Sequence, residues 1–312
     1  MLGELNREPR EGGVVVAAIT PWRGDDASVD IPAAFELIDF LSSKNPSGIA
    51  LFGSTGEFPH FSLEERARLT VLAVKRSRVP VFVNISHSTL AGSMRLAEEA
   101  TRGGAAGLLL MPPYYFRYAE SPVKEFFFQA ASRAARLAPL YLYNIPFFTS
   151  PLPLETAVQL LETGRFAGIK DSSGEWEYFE RLLALRESTP FRLFIGNDKI
   201  LARTREMGAD GAVSGVSCAL PELVLALDAA IRDGNRTKKS KLETRLTEFL
   251  DWAKRFPTPV AVKIAVEARG LQPGALAAPL GPEGERLLEE YRGWLAGWIP
   301  QVLADAHDTS TR

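Results

Sequence analysis

A single cysteine, Cys218, stands among 312 residues, with only three histidines beside it. An internal disulfide is therefore excluded, and no metal-ligand spacing forms around the thiol. Long apolar runs are also missing, since no stretch reaches the ~20 apolar residues that span a bilayer. Residues 1–13 are polar and lack the apolar core of an export signal, which makes a cytoplasmic location the default expectation. Basic clusters are scarce. Lys and Arg number 36 against 38 Asp and Glu, a net charge of −2, and no long cationic run marks a nucleic-acid surface. Lys238, Lys239 and Lys241 form the densest basic patch and read as a solvated helix face. What remains is an ordinary globular composition, 46% hydrophobic, long enough to bury a sizeable core.

Short apolar runs recur along the chain at 14–20, 48–53, 79–86, 107–113, 140–146, 167–172, 192–197 and 211–215. They are rich in Val, Ile, Leu and Phe and do not alternate, the pattern of strands buried on both faces. Helical periodicity fills the gaps, at 63–76, 89–102, 122–136 and 154–162, and Ser62-Leu-Glu-Glu65 has the form of a capping box. Eight strand–helix units predict an α/β fold, a (β/α)8 TIM barrel. A doubly wound open sheet is the rival, but no Gly-x-Gly-x-x-Gly follows the first strand. After Asp233 the pattern is helical only. The chain thus divides into a barrel over 1–233 and a helical extension over 234–312 packed on it, with fraying expected from Asp305 onward.

In such a barrel the reacting groups stand at the C-terminal ends of the strands. Those ends read Phe52-Gly-Ser-Thr-Gly-Glu57, Met111-Pro-Pro-Tyr-Tyr115, Tyr143-Asn-Ile-Pro146, Lys170-Asp171 and Gly196-Asn-Asp198. Polar groups from most strands converge on one mouth. Lys170 is the most informative of them. It closes a short apolar run, and poor solvation there favours a neutral amine able to attack a carbonyl. Tyr143, one strand earlier, supplies a phenol for proton transfer. The small residues of Gly53-Ser-Thr-Gly56 let the backbone approach an anion such as a carboxylate.

Each of these has a plainer structural reading. Lys170 could be a buried lysine paired with Asp171 or Glu57, and Tyr143 a core tyrosine with a satisfied hydroxyl. Gly-Ser-Thr-Gly is by itself a common turn. Asp198 and Glu57 read as loop ties, His60 and His87 have no partner in the sequence, and Cys218 reads as a small packed hydrophobe. Trp176, Tyr178 and Phe179 fit either an interface or the barrel–helix core.

Taken in order, these motifs resemble those of the dihydrodipicolinate synthase and N-acetylneuraminate lyase family, over about 13–288 of this sequence. The resemblance rests on Gly53-Ser-Thr-Gly-Glu57 with Leu63-Glu-Glu-Arg66, and on Pro113-Tyr-Tyr115. It extends through Tyr143-Asn-Ile-Pro146, Gly168-Ile-Lys-Asp171 and Pro259-Val-Ala-Val-Lys263 to Ala278-Pro279-Leu280. It implies a pyruvate-dependent class I aldolase on a (β/α)8 barrel that needs no metal or other cofactor. By the same resemblance Lys170 condenses with the keto group, Tyr143 moves protons, and Ser54 links Tyr143 to a second tyrosine, Tyr115, from a neighbouring subunit. Thr55 holds the pyruvate carboxylate, and the Val213 carbonyl faces the bound keto acid. A homotetramer built of two dimers is implied.

The partner aldehyde is less legible. Dihydrodipicolinate synthases carry an arginine two residues after Tyr-Asn-x-Pro, where this chain has Phe148. The Phe147-Phe148 pair makes the outer pocket more apolar, or fills it. Gly196-Asn-Asp-Lys199, at the second-substrate loop, lacks the acid pair of sialic acid lyases, and Lys199 reads as an exposed loop lysine. Gly53–Pro59 and Lys170–Glu175 look closest to aldolases of 4-hydroxy-2-oxoglutarate and of 2-keto-3-deoxy acids. The alternatives are a dihydrodipicolinate synthase proper and a catalytically idle protein that binds a keto acid.

Overall fold

A computed structural model describes residues 12–24 and 28–308. Eight strands close into an all-parallel barrel in sequence order, β1 Gly13–Ala17, β2 Gly48–Leu51, β3 Val81–Asn84, β4 Gly107–Leu110, β5 Leu140–Asn144, β6 Gly168–Asp171, β7 Arg192–Ile195 and β8 Gly211–Ser214. β8 returns to pair with β1, so no edge is left open. The expected TIM barrel is present. Every strand is shorter than its apolar run, because residues such as Met111 and Pro113 are buried in the mouth after the ladder has ended.

The helices at Leu63–Arg76 and Leu154–Glu162 match their periodic patterns, and Thr89 and Ser62 cap the helices that follow them. The capping box is only half formed. The Glu65 N–H donates to Ser62 Oγ at 3.1 Å, but the Glu65 carboxylate turns away to accept the Val29 N–H at 3.0 Å.

Residues directly paired in a parallel ladder share a face, and so do alternate residues of one strand. The register Tyr141↔Gly168↔Arg192 and Tyr143↔Lys170↔Phe194↔Gly211 thus stacks two interior layers. The Tyr141 ring lies edge-on to Phe82 and Phe194, with both centroids at 5.9 Å, and makes an aromatic floor. Gly107 makes room for it, since a Cβ there would stand 2.7 Å from the Phe82 ring.

Beyond the helix Pro221–Arg232 come Arg236–Ala253, Val260–Ala268 and Gly281–His307. The long last helix packs Tyr291, Trp294 and Trp298 against Phe249 and Trp252. Fraying from Asp305 does not occur over 305–307: Asp305 accepts from Arg245 and pairs with Lys241 at 2.7 Å, which holds the final turn. Residues 309–312 and the polar stretch 1–11 lie outside the described residues. Lys239 pairs with Glu206 and Glu243, so the basic patch is a helix face neutralised by acids. Among the described residues no helix is long and apolar enough to cross a membrane.

Candidate active site

Lys170 is the penultimate residue of β6 and has 4% of its surface exposed. Its ammonium lies over the Tyr143 ring, 3.9 Å from the centroid. Among the described residues no carboxylate comes within 4 Å of it. Neither suggested partner is available. Asp171 points to the other face, accepting from Asn144 Nδ2 at 2.8 Å, Ser173 Oγ at 2.9 Å and the Ser173 N–H at 3.1 Å. Burial pushes the Asp171 carboxyl up, against the pull of these bonds. Glu57 pairs instead with Lys263 at 2.7 Å, both side chains buried.

Tyr143 is fully buried on β5, and its hydroxyl shares a hydrogen bond with Ser54 Oγ at 3.3 Å. That is long for two hydroxyls. The loop carrying Ser54 and Thr55 is held in shape from several sides. Phe52 and Glu57 at its two ends adopt left-handed backbone, φ 58° and 51°, and Thr20 Oγ1 donates to the Gly56 carbonyl at 2.8 Å. Thr55 faces the end of β8, where a Cβ on Gly215 would come within 3.1 Å of its hydroxyl. Val213 lies inside the barrel on β8, paired with Val15.

Gly196, at the end of β7, is a position where only hydrogen fits. A Cβ would stand 2.0 Å from Ser172 Oγ and 2.8 Å from Lys170 Cε. Asp198, just beyond, binds Ser214, Gly215 and Val216 at the end of β8. Burial pushes its carboxyl up, and Lys170 works against that rise. It is a loop tie, as its local context suggested.

Tyr115 does not meet Ser54 within one chain. It sits at φ 79° with 86% of its surface exposed, its ring edge-on to Phe116 at 4.9 Å. Phe148 is 54% exposed and borders a cavity of about 270 Å³ that opens beside Ser54. Phe147 points to solvent. Tyr178 and Phe179 are core, and Trp176 is half-buried with the Arg203 guanidinium 3.6 Å from its ring centroid. Cys218 is buried, its thiol pushed up to about 12 by burial.

Two buried cations went without a role in the sequence. Arg66 donates to the Asn84 and Ser86 carbonyls at 2.7 and 2.9 Å and lies over Phe58 and Phe52, supporting the loop from below. Burial pushes its guanidinium down to about 10. Lys263, on the helix Val260–Ala268, holds Glu57 and also donates to the Ala275 carbonyl at 2.5 Å. A lysine within the apolar run 259–266 was the available signal.

The fold is a closed parallel barrel whose strand ends gather Lys170, Tyr143, Ser54 and Thr55 at one mouth. The Dihydrodipicolinate synthetase family model matches residues 10–295, and the chain belongs to that family of carbon–carbon lyases. It is 32% identical over 278 residues to a 4-hydroxy-tetrahydrodipicolinate synthase of Azoarcus sp. (strain BH72), covering 88% of this chain and 93% of the relative. A prophage protein of E. coli K12, solved in complex with pyruvate, superposes with a TM-score of 0.82 at 26% identity, covering 92% of this chain and 98% of that one. The 2-keto 3-deoxygluconate aldolase of Picrophilus torridus gives a TM-score of 0.79 at 26% identity, covering 85% and 96%.

Proposed function

We propose that this protein is a Schiff-base aldolase that joins pyruvate to an aldehyde, or releases pyruvate in reverse. Its substrate is then a 4-hydroxy-2-oxo acid, of the 4-hydroxy-2-oxoglutarate or 2-keto-3-deoxy sugar acid type. One observation carries the reading: Lys170 is buried over the Tyr143 phenol with no carboxylate within ion-pair reach among the described residues.

The amine adds to the keto carbon and water leaves, giving a protonated imine. Tyr143 gives its proton to the departing water, and the phenolate so formed takes a C3 proton, giving an enamine. C3 attacks the aldehyde carbon, a C–C bond forms, and the aldehyde oxygen takes a proton from Tyr143. Water then releases the product and regenerates the amine. Ser54 relays protons to Tyr143, and Thr55 with loop N–H groups clamps the keto-acid carboxylate. Val213 lends its carbonyl to the keto acid, and Gly196 keeps the space around the lysine stem open. Phe148 faces the aldehyde. Tyr115, exposed and in strained backbone, completes a neighbour's site, which requires at least a dimer; by likeness to the family the working form is a homotetramer of two such dimers, in the cytoplasm. No metal or other cofactor enters these steps.

A retro-aldol screen tests the reading: pyruvate should be released from at least one 4-hydroxy-2-oxo acid. No pyruvate from any of them sinks it. The Azoarcus relative favours a second reading, 4-hydroxy-tetrahydrodipicolinate synthase. Turnover of aspartate semialdehyde, despite Phe148, would decide for that one.

A further inference from the structure

Asn144 follows Tyr143 on β5, and Asp171 follows Lys170 on β6. The register sets Tyr143 against Lys170 and Asn144 against Asp171. Side chains alternate along a strand, so the first pair faces the barrel interior and the second faces the helix layer. On that outer side Asn144 Nδ2 donates to Asp171 Oδ1 at 2.8 Å, and both residues are buried.

The bond lies where the ladder runs out. Both strands end at these two residues, and the Ser172 N–H donates to the Asn144 carbonyl at 2.8 Å just beyond. Each side chain also ties down the segment that follows its strand. Asn144 Oδ1 accepts the Leu152 N–H at 3.3 Å, and Asp171 accepts the Ser173 N–H at 3.1 Å and Ser173 Oγ at 2.9 Å. Both ends of the Asn144 amide are thus in use.

The consequence falls on the inner pair. The Lys170 ammonium lies 3.9 Å from the Tyr143 ring centroid, a contact that gives the amine little direction of its own. Inner and outer side chains leave the same backbone, so a link between the outer two fixes the spacing and twist of the inner two. A misplacement of about 1 Å can cost on the order of 10²-fold in rate.

Resting on the aldolase reading above, we infer that Asn144 and Asp171 are positioning residues for the Lys170–Tyr143 pair, acting from behind the barrel wall through their mutual hydrogen bond. The acceptor matters and its charge does not. Asp171→Asn keeps an oxygen where Oδ1 stands and turns an amide to the Ser173 hydroxyl, whereas Asn144→Asp sets two carboxylates against each other.

The test needs pyruvate alone. The rate of borohydride-trapped adduct on Lys170, and the exchange of pyruvate C3 hydrogens for deuterium, are read by mass on folded protein. Asn144→Asp should slow both about tenfold or more, and Asp171→Asn should leave both within about twofold of wild type. Adding Asp171→Asn to Asn144→Asp should recover most of the loss, because the bond re-forms with donor and acceptor exchanged. If Asn144→Asp does not fold, Asp171→Ser, too short to reach Asn144, should show the same loss. Denaturant midpoints separate positioning from packing: lower midpoints with unchanged rates per folded chain overturn the inference. A loss that the double variant does not recover overturns it too, as does a tenfold loss in Asp171→Asn. In each of these cases a wild-type adduct leaves the aldolase reading standing. Folded wild-type protein without an adduct removes both.

Discussion

The Glu57 carboxylate takes the Lys263 ammonium as its partner at 2.7 Å, with both side chains buried. The pair joins the loop carrying Ser54 and Thr55 to the helix Val260–Ala268 of the C-terminal extension. Among the described residues it also leaves Lys170 without a carboxylate within 4 Å. Burial pushes the Lys263 ammonium down, while Glu57 works to raise it.

Breaking that pair strands a buried charge. Lys263→Met should cost about 3–5 kcal/mol by denaturant midpoint and raise KM for pyruvate more than it lowers kcat. The double variant Glu57→Gln/Lys263→Met should recover part of the loss. Simple additivity of the two single losses would refute a coupled pair.

Tyr143→Phe removes the phenol that we propose as proton carrier and keeps the ring beneath Lys170. We expect kcat to fall about 10²- to 10⁴-fold, with the imine still trapped by borohydride. Ser54→Ala acts only through the phenol and should cost less. Equal activity in Tyr143→Phe and wild type would show that another group moves the proton.

Gly196→Ala presses a methyl on Ser172 Oγ and Lys170 Cε. The expected cost is about 1–3 kcal/mol of stability, with a larger proportional loss of imine formation. Unchanged trapping kinetics would mean the lysine stem has more room than the structure allows.

Acid stability has a traceable contributor in Glu222. Burial would raise its carboxyl, but hydrogen bonds from Arg269 at 2.7 and 3.0 Å, and from Lys44 at 2.9 Å, hold it at about 2. Its folded value lies below the unfolded one of 4.5, so its contribution is present above pH 4.5 and lost as pH falls towards 2. The size is on the order of 2 kcal/mol after allowance for partial solvent contact. Asp171 and Asp198, pushed up by burial, act with the opposite sign and favour the folded state as pH falls. Comparing unfolding of wild type and Glu222→Gln across this window isolates the term. The variant should start less stable and lose less between pH 4.5 and 2; parallel curves would contradict the assignment.

The barrel was legible because strands buried on both faces leave continuous apolar runs, and the lysine because it interrupts one. Strand ends were less legible. Residues 111–113 are as buried in the mouth as in a ladder, so hydrophobicity alone does not mark where pairing stops. The Glu57–Lys263 pair joins residues far apart in the chain, and periodicity carries no information on it. Ser62–Glu65 shows the opposite case: a local motif predicted a reciprocal cap, and the tertiary contact to Val29 took the carboxylate.

The most direct test of the central claim is intact-protein and peptide mass spectrometry after incubation with pyruvate and borohydride. One reduced pyruvyl adduct per chain is expected, mapped to Lys170 and absent from Lys170→Ala. Folded wild-type protein without that adduct, or with the adduct on another lysine, would contradict it.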